Sequence, residues 1–317
     1  MNDIKKAAAL LRQRDNILIL THLRPDGDTT GCAAGLCAML RQIGKTAYVL
    51  YNPEITDSNR GYVEPYWAPE DFAPDFVVSV DIADRQLFYP AAAAYFDRVG
   101  LAVDHHPSFG GFGETQCVDP SRGACGEIVY DICRELGEIS PEAALPLYAA
   151  VSTDTGCFVY ANTTANTHRV AAELLATGID YFSVNKRHFR TKTKKRLALE
   201  ADMLGNMEFF DEGRGVFMCV SRPLMERIGA TENDAEDLSA LAGLVEGVDC
   251  GAVLRELQPD EWKISLRTGA NGRVNATLVC KRLGGGGHAM AAGATVRGRL
   301  EDVKRQVLEA VDAVKQQ

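Results

Sequence analysis

The first half of the chain repeats one pattern: a short apolar run ends abruptly in carboxylate or imidazole side chains. NILILT at 16–21 leads to His22, Asp26 and Asp28, and DFVVSV at 75–80 to Asp81. VGLAV at 99–103 leads to Asp104, His105 and His106, and AAVST at 149–153 to Asp154. Read as strands, these runs alternate with helical stretches at Thr29–Ile43, Gly126–Leu136 and Asn166–Ala176, while Glu142–Val151 reads as a helix or a helix–strand segment running into Ser152. Thr46–Tyr51 adds a further strand. Strands alternating with helices imply βα units and an α/β fold with a doubly wound, mostly parallel sheet. The carboxyl ends of such strands share one crevice, where ligands bind. Four aspartates (26, 28, 81 and 154) and His22, His105 and His106 are thereby delivered to one edge.

An isolated Asp after a strand is explained by capping of the next helix. Four of them converging with three of the six histidines are not. Carboxylates packed this closely must protonate, separate or be neutralised by cations. Carboxylate and imidazole without thiolate favour Mn²⁺, with Mg²⁺ or Co²⁺ as alternatives, over structural zinc. Two divalent ions match four carboxylates in charge. Two such ions roughly 4 Å apart repel by on the order of 15 kcal/mol, so a bridging ligand is required. Asp81, on a strand between the others, is the candidate bridge.

The character of the chain changes after Lys186–Arg196 (KRHFRTKTKKR), which holds seven Lys or Arg in eleven residues. This run reads either as a solvated helix start or as a collector of an oligonucleotide's downstream phosphates, with Phe182 or Phe189 as a stacking face. A helical stretch, Leu197–Met207, follows. Gly215–Ser221, Gly251–Leu257, Trp262–Arg267 and Gly293–Val296 then read as strands, and Ala235–Val245 and Leu300–Val314 as helices. The expected organisation is a metal-binding catalytic domain over 1–190, a linker helix over 191–212 and a smaller C-terminal α+β domain over 213–317. Within the last, Gly284, Gly285, Gly286 and Gly287 precede His288. These glycines offer conformational freedom and N–H groups suited to a phosphate, with Arg267 and His288 as nearby cationic donors; a flexible hairpin is the plainer alternative.

Composition narrows the partners. Forty-three Asp and Glu against 34 Lys and Arg leave a formal charge of −9, a poor basis for gripping long nucleic acid but compatible with a short phosphorylated substrate. No apolar run approaches the ~20 residues that a bilayer requires, and the first residues carry no export signal. Nine scattered cysteines without a CxxC pair suggest reduced thiols in the cytoplasm rather than a disulfide framework.

HLRPDGD at 22–28, VDIAD at 80–84, DHH at 104–106 and STDTG at 152–156 resemble the four motifs of the DHH phosphoesterase superfamily. Ser265-Leu-Arg-Thr268, followed by LGGGGHAMAAG at 283–293, resembles the associated DHHA1 domain. The layout is similar to that of bacterial nano-RNase/pAp phosphatases. The resemblance implies a divalent-metal-dependent phosphoesterase that hydrolyses short oligoribonucleotides or 3′-phosphoadenosine 5′-phosphate (pAp) by two-metal hydroxide attack. It implies His22, Asp26 and Asp81 on one ion, and Asp28, Asp81, His105 and Asp154 on the other. Asp104 would orient His105 or the neighbouring backbone, and His106 would contact substrate phosphate. Arg267, the four glycines and His288 would hold the substrate. A homodimer is possible. The rival enzyme reading is a cyclic-dinucleotide or pApA phosphodiesterase; from another class, a nucleotide sensor without turnover. Arg24 departs from the small or apolar residue usual at its position, and SRGACG at 121–126 replaces a Ser-rich stretch.

Overall fold

A computed structural model describes residues 3–235, 238–269 and 273–315. It divides into two compact units, Met1–Thr191 and Lys192–Gln317.

The first unit is built on five strands: β1 Ile17–Leu20, β2 Ala47–Val49, β3 Phe76–Val80, β4 Val99–Asp104 and β5 Thr115–Val118. All are parallel, in the order β2-β1-β3-β4-β5. The order reverses between β1 and β3, which opens the crevice of a doubly wound sheet at their carboxyl ends. Alternate residues of β1 serve opposite faces: Ile17 and Ile19 join one core, Leu18 and Leu20 the other. Among the helices are α1 Asp3–Gln13, α2 Gly27–Gln42, the short α3 Asp57–Val63 and α4 Pro90–Ala93, α5 Cys125–Leu136, α6 Pro141–Asp154 and α7 Ala165–Leu175. Residues of α1, α2, α5, α6 and α7 fill the core on one face; Phe88, Phe112 and Ile82 fill the other.

One strand expected from the sequence is absent: AAVST is the last stretch of α6. Ser140 caps that helix by accepting from the Ala143 amide, Pro141 occupies its first turn, and its alanines favour helix. Asp154 therefore arrives at a helix end. The fifth strand is β5 instead, short and only partly buried at the sheet edge. The basic run is one turn of π-helix at Lys186–Arg190 after α8 Tyr181–Asn185, and α9 Lys194–Gly205 starts only at its Thr193 cap.

Helix α2 is set tightly on α6 by Gly27, Gly31 and Gly35, spaced four apart on one face. A Cβ on Gly31 would stand 2.3 Å from the Pro146 carbonyl oxygen, a backbone atom that cannot rotate away. We expect Gly31→Ala to cost about 3 kcal/mol, read as a fall of several degrees in melting temperature. An unchanged melting temperature would contradict this packing.

The second unit is a mixed six-stranded sheet of β6 Glu208–Phe210, β7 Gly215–Val220, β8 Cys250–Gln258, β9 Glu261–Thr268, β10 Gly286–Gly287 and β11 Ala291–Arg297. Its order is β10-β11-β9-β8-β7-β6, parallel only between β7 and β8. Helices α11 Ala276–Arg282 and α12 Leu300–Lys315 pack on β8, β9 and β11; α9 and α10 Arg222–Ile228 pack with β7. The helix expected at Ala235–Val245 is instead short 3₁₀ stretches, Asn233–Ala235 and Leu238–Leu244, with positions 236 and 237 outside the described residues. Asp, Ser and Gly in that segment lower its helix propensity.

Candidate metal centre

β1 runs into His22, whose Nδ1 lies 2.7 Å from the Leu23 carbonyl oxygen. A carbonyl can only accept, so Nδ1 carries the proton and Nε2 presents its lone pair. Asp26 caps α2: its Oδ1 accepts from the Asp28 and Thr29 amides at 3.0 and 3.2 Å. That same oxygen lies 3.5 Å from His22 Nε2, so the capping oxygen also faces the imidazole. Asp28, buried in the first turn of α2, accepts from the Cys125 and Gly126 amides at 2.7 and 2.9 Å, at the start of α5.

β3 ends at Asp81, held in the left-handed region at φ +58° by its amide bond to the Val103 carbonyl (2.9 Å). Asp tolerates this conformation better than most residues. β4 leads into Asp104, His105 and His106. His105 Nδ1 faces the Arg122 carbonyl at 3.1 Å, so here too Nε2 is the lone-pair nitrogen. Asp104 grips His106 rather than the His105 ring: its Oδ1 accepts from the His106 amide at 2.6 Å and lies 2.8 Å from His106 Nδ1.

The ends of β1, β3, β4, α2 and α6 gather three groups: His22, Asp26 and Asp81; Asp28, His105 and Asp154; and Asp81, His105 and His106. The ligand atoms in each lie within 4.8 Å of one another. Asp81 joins them. Its Oδ2 is 3.7 Å from His22 Nε2, and its Oδ1 is 3.6 Å from His105 Nε2. His105 Nε2 also lies 3.8 Å from Asp28 Oδ2 and 3.6 Å from Asp154 Oδ2. These separations are too long for hydrogen bonds. They suit atoms that share an ion at ~2.1 Å, which stand roughly 3–4 Å apart. Asp81 Oδ1 is, moreover, buried without a hydrogen-bond partner among the described residues. The donor set therefore fits divalent cations.

Electrostatics agrees. Burial, then the Asp26 charge, pushes Asp28 up to about 7. Burial and Asp28 push Asp154 up to about 7, and both raise Asp81 well above the carboxylate range. Burial would raise Asp26 too, but the His22 ring and two amides outweigh it and hold the group at about 2. For His106, burial lowers the affinity for protons, but Asp104 more than compensates, and the net shift is upward.

In the second unit, β11 pairs with β9 so that Ala291 lies opposite Arg267, and the Thr268 amide bonds the Met290 carbonyl at 3.0 Å. Arg267 and the turn after the glycine run thus share one end of the sheet. The glycine amides correct an expectation. Those of Gly284 and Gly285 bond the Lys281 and Cys280 carbonyls, and that of His288 bonds the Ala291 carbonyl, so these three are not open to a phosphate. The run forms the end of α11 and an antiparallel hairpin. Its glycines serve close approach instead: a Cβ on Gly285 would stand 2.1 Å from the Gly293 carbonyl oxygen.

The groups that hold these side chains are mostly main chain and have no counterpart in the sequence motifs: the Leu23 and Arg122 carbonyls, the Cys125 and Gly126 amides, and Asn162, whose Nδ2 lies 3.1 Å from the Asp154 carbonyl oxygen. Backbone donors carry no signature in side-chain type. SRGACG, read for missing hydroxyls, acts through its main chain.

The amino-acid sequence matches the DHH family, N-terminal domain, over residues 16–179 and the DHHA1 domain over residues 225–317. The chain is 35% identical to the bifunctional oligoribonuclease and PAP phosphatase NrnA of Thermus thermophilus, covering 93% of this chain and 89% of that one. It is 26% identical to the protein of the same name from Bacillus subtilis, over 89% and 90%. Its fold is similar to that of an exopolyphosphatase-related protein from Bacteroides fragilis, with a TM-score of 0.87 at 22% identity, over 99% and 96% of the two chains.

Proposed function

Since the chain belongs to the DHH family and carries a DHHA1 domain behind the DHH domain, we propose that it is a divalent-metal-dependent phosphoesterase acting on short oligoribonucleotides and on pAp. The observation that carries this reading is the Asp81 carboxylate, which turns one oxygen toward each of two histidine–carboxylate groups. In it, His22, Asp26 and Asp81 hold one ion, and Asp28, Asp81, His105 and Asp154 hold the other; manganese suits the mixed imidazole and carboxylate donors. Such a pair supplies Lewis acidity and a hydroxide at neutral pH for displacement at phosphorus. The protein's own part is orientation. Carbonyls at Leu23 and Arg122 keep the Nε2 lone pairs of His22 and His105 pointed inward. Asp104 keeps a proton on His106 Nδ1, and its raised proton affinity suits His106 to donate to a phosphate oxygen of the substrate. Arg267 and His288, in the second unit, bind the substrate's terminal phosphate or nucleotide.

Identity and coverage of the two oligoribonuclease/PAP phosphatases favour these substrates over cyclic dinucleotides or pApA. Nine free cysteines suit a reducing cytoplasm, and among the described residues no helix is long and apolar enough to cross a membrane.

The test is turnover with Mn²⁺ on pAp, a ribodinucleotide, pApA, cyclic di-AMP and a 20-mer DNA. The first two should be turned over fastest. Arg267→Ala should raise KM for them at least tenfold while sparing a generic phosphodiester. Preference for the 20-mer, or equal loss on all substrates, would overturn the assignment.

A further inference from the structure

Asp28, His105 and Asp154 are all steered by one stretch of backbone, residues 122–126, and by the side chain that pins it. The Arg122 carbonyl accepts from His105 Nδ1 at 3.1 Å. The Cys125 and Gly126 amides hold Asp28 at 2.7 and 2.9 Å. Between them Gly123 is fastened at both ends: its amide donates to Glu127 Oε1 at 3.2 Å, and its carbonyl accepts from Asn162 Nδ2 at 2.8 Å. The same Asn162 nitrogen reaches the Asp154 carbonyl at 3.1 Å and Asp154 Oδ2 at 3.4 Å.

Returning Asn162 to Asp154 requires three consecutive left-handed residues, Gly156, Cys157 and Phe158, at φ 56°, 57° and 68°. Two of these are not glycine, and such a conformation persists only where the surroundings enforce it. The fit at Gly123 is equally close: a Cβ there would stand 2.7 Å from the Asn162 carbonyl oxygen and 3.0 Å from Glu127 Oε1. Among the described residues, no hydrogen bond runs from 122–126 or Asn162 to the side chains of His22, Asp26 or Asp81. His22 takes the Leu23 carbonyl, and Asp26 its own helix amides.

We propose that Asn162 is a positioning residue for one of the two ion sites: it fastens Asp154 to the backbone that orients His105 and Asp28, and leaves the His22–Asp26 site untouched. This inference rests on the metal reading above. Partners that orient metal ligands govern affinity by roughly 10–100-fold. The test is a calorimetric titration of the chelator-stripped full chain with Mn²⁺, alongside its melting temperature, for wild type, Asn162→Ala and Gly123→Ala. Gly123→Ala disturbs the same staple with Asn162 intact, so either folded variant is decisive. The expected result is one unchanged affinity and one weakened roughly 10–100-fold. Equal weakening at both sites, as a general loss of structure would give, or no change at either, overturns the inference. Wild-type protein that binds no manganese sinks the metal reading itself, whereas two ions bound alike by wild type and variants sink only the role of Asn162.

Discussion

Asp81→Asn is expected to cut hydrolysis by at least roughly 10³-fold and, in the metal-free protein, to raise the melting temperature. The two effects have one cause. Asp81 is nearly inaccessible, has one oxygen without a hydrogen-bond partner among the described residues, and faces Asp28 inside the same crevice. Without ions, a charge there is a burden. Burial and like-charge repulsion raise its proton affinity, so replacing it with a neutral side chain of the same shape removes the repulsion. Among the described residues it is the carboxylate that turns one oxygen toward His22 and the other toward His105, and an amide cannot replace the charge that ions there would need. Activity assays and thermal melts with chelator on the same preparation check both halves. Lower stability of the metal-free variant would place Asp81 in a structural network instead, and retained activity would remove it from the centre.

Manganese should stabilise the protein strongly, and more so as pH rises from 5 to 8. Asp28 and Asp154 have an ordinary value of 3.8 and stand near 7 in the folded chain. A group whose folded value is raised contributes most below its unfolded value. Between about pH 4 and 7 the native state keeps protons that the unfolded chain has released, so stability falls with rising pH across that window. The raised values of His22 and His106 act in the same direction, with the decline beginning near 6.5. Divalent ions take the place of those protons and cancel the decline. At a thousandfold excess over the dissociation constant, binding adds about 4 kcal/mol, or on the order of 10 °C. Melting curves at pH 5, 6, 7 and 8, with manganese and with chelator, should therefore diverge as pH rises. Parallel curves would mean that the carboxylates do not share a metal-free burden.

The ligand-type side chains were legible in the sequence because apolar runs ending in charge leave few physical outcomes. The sheet followed from β1, β3 and β4, whose apolar runs stop where the carboxylates and imidazoles begin. What was not legible has identifiable causes. AAVST has the apolarity of a strand but lies in an alanine-rich segment with a Ser-Pro start, and helix capping decided its fate. Asp26 showed that two readings held apart in the sequence, helix cap and ligand-type carboxylate, coexist in one side chain. The glycine run reads as a source of free amides, but its own hairpin and the end of α11 take three of them. The stretch 122–126 acts through carbonyls and amides, to which residue identity is nearly blind. Asn162, eight residues beyond Asp154, becomes visible only once the left-handed turn brings it back.

The most direct measurement is the number of manganese ions taken up by chelator-stripped protein. Titration calorimetry of the full chain at pH 7.5 should find two per chain for wild type and at most one for Asp81→Asn, with hydrolysis returning in step with occupancy. A stripped chain that takes up no manganese, or that hydrolyses at its full rate without any, would contradict the placement of two ions among His22, Asp26, Asp28, Asp81, His105 and Asp154.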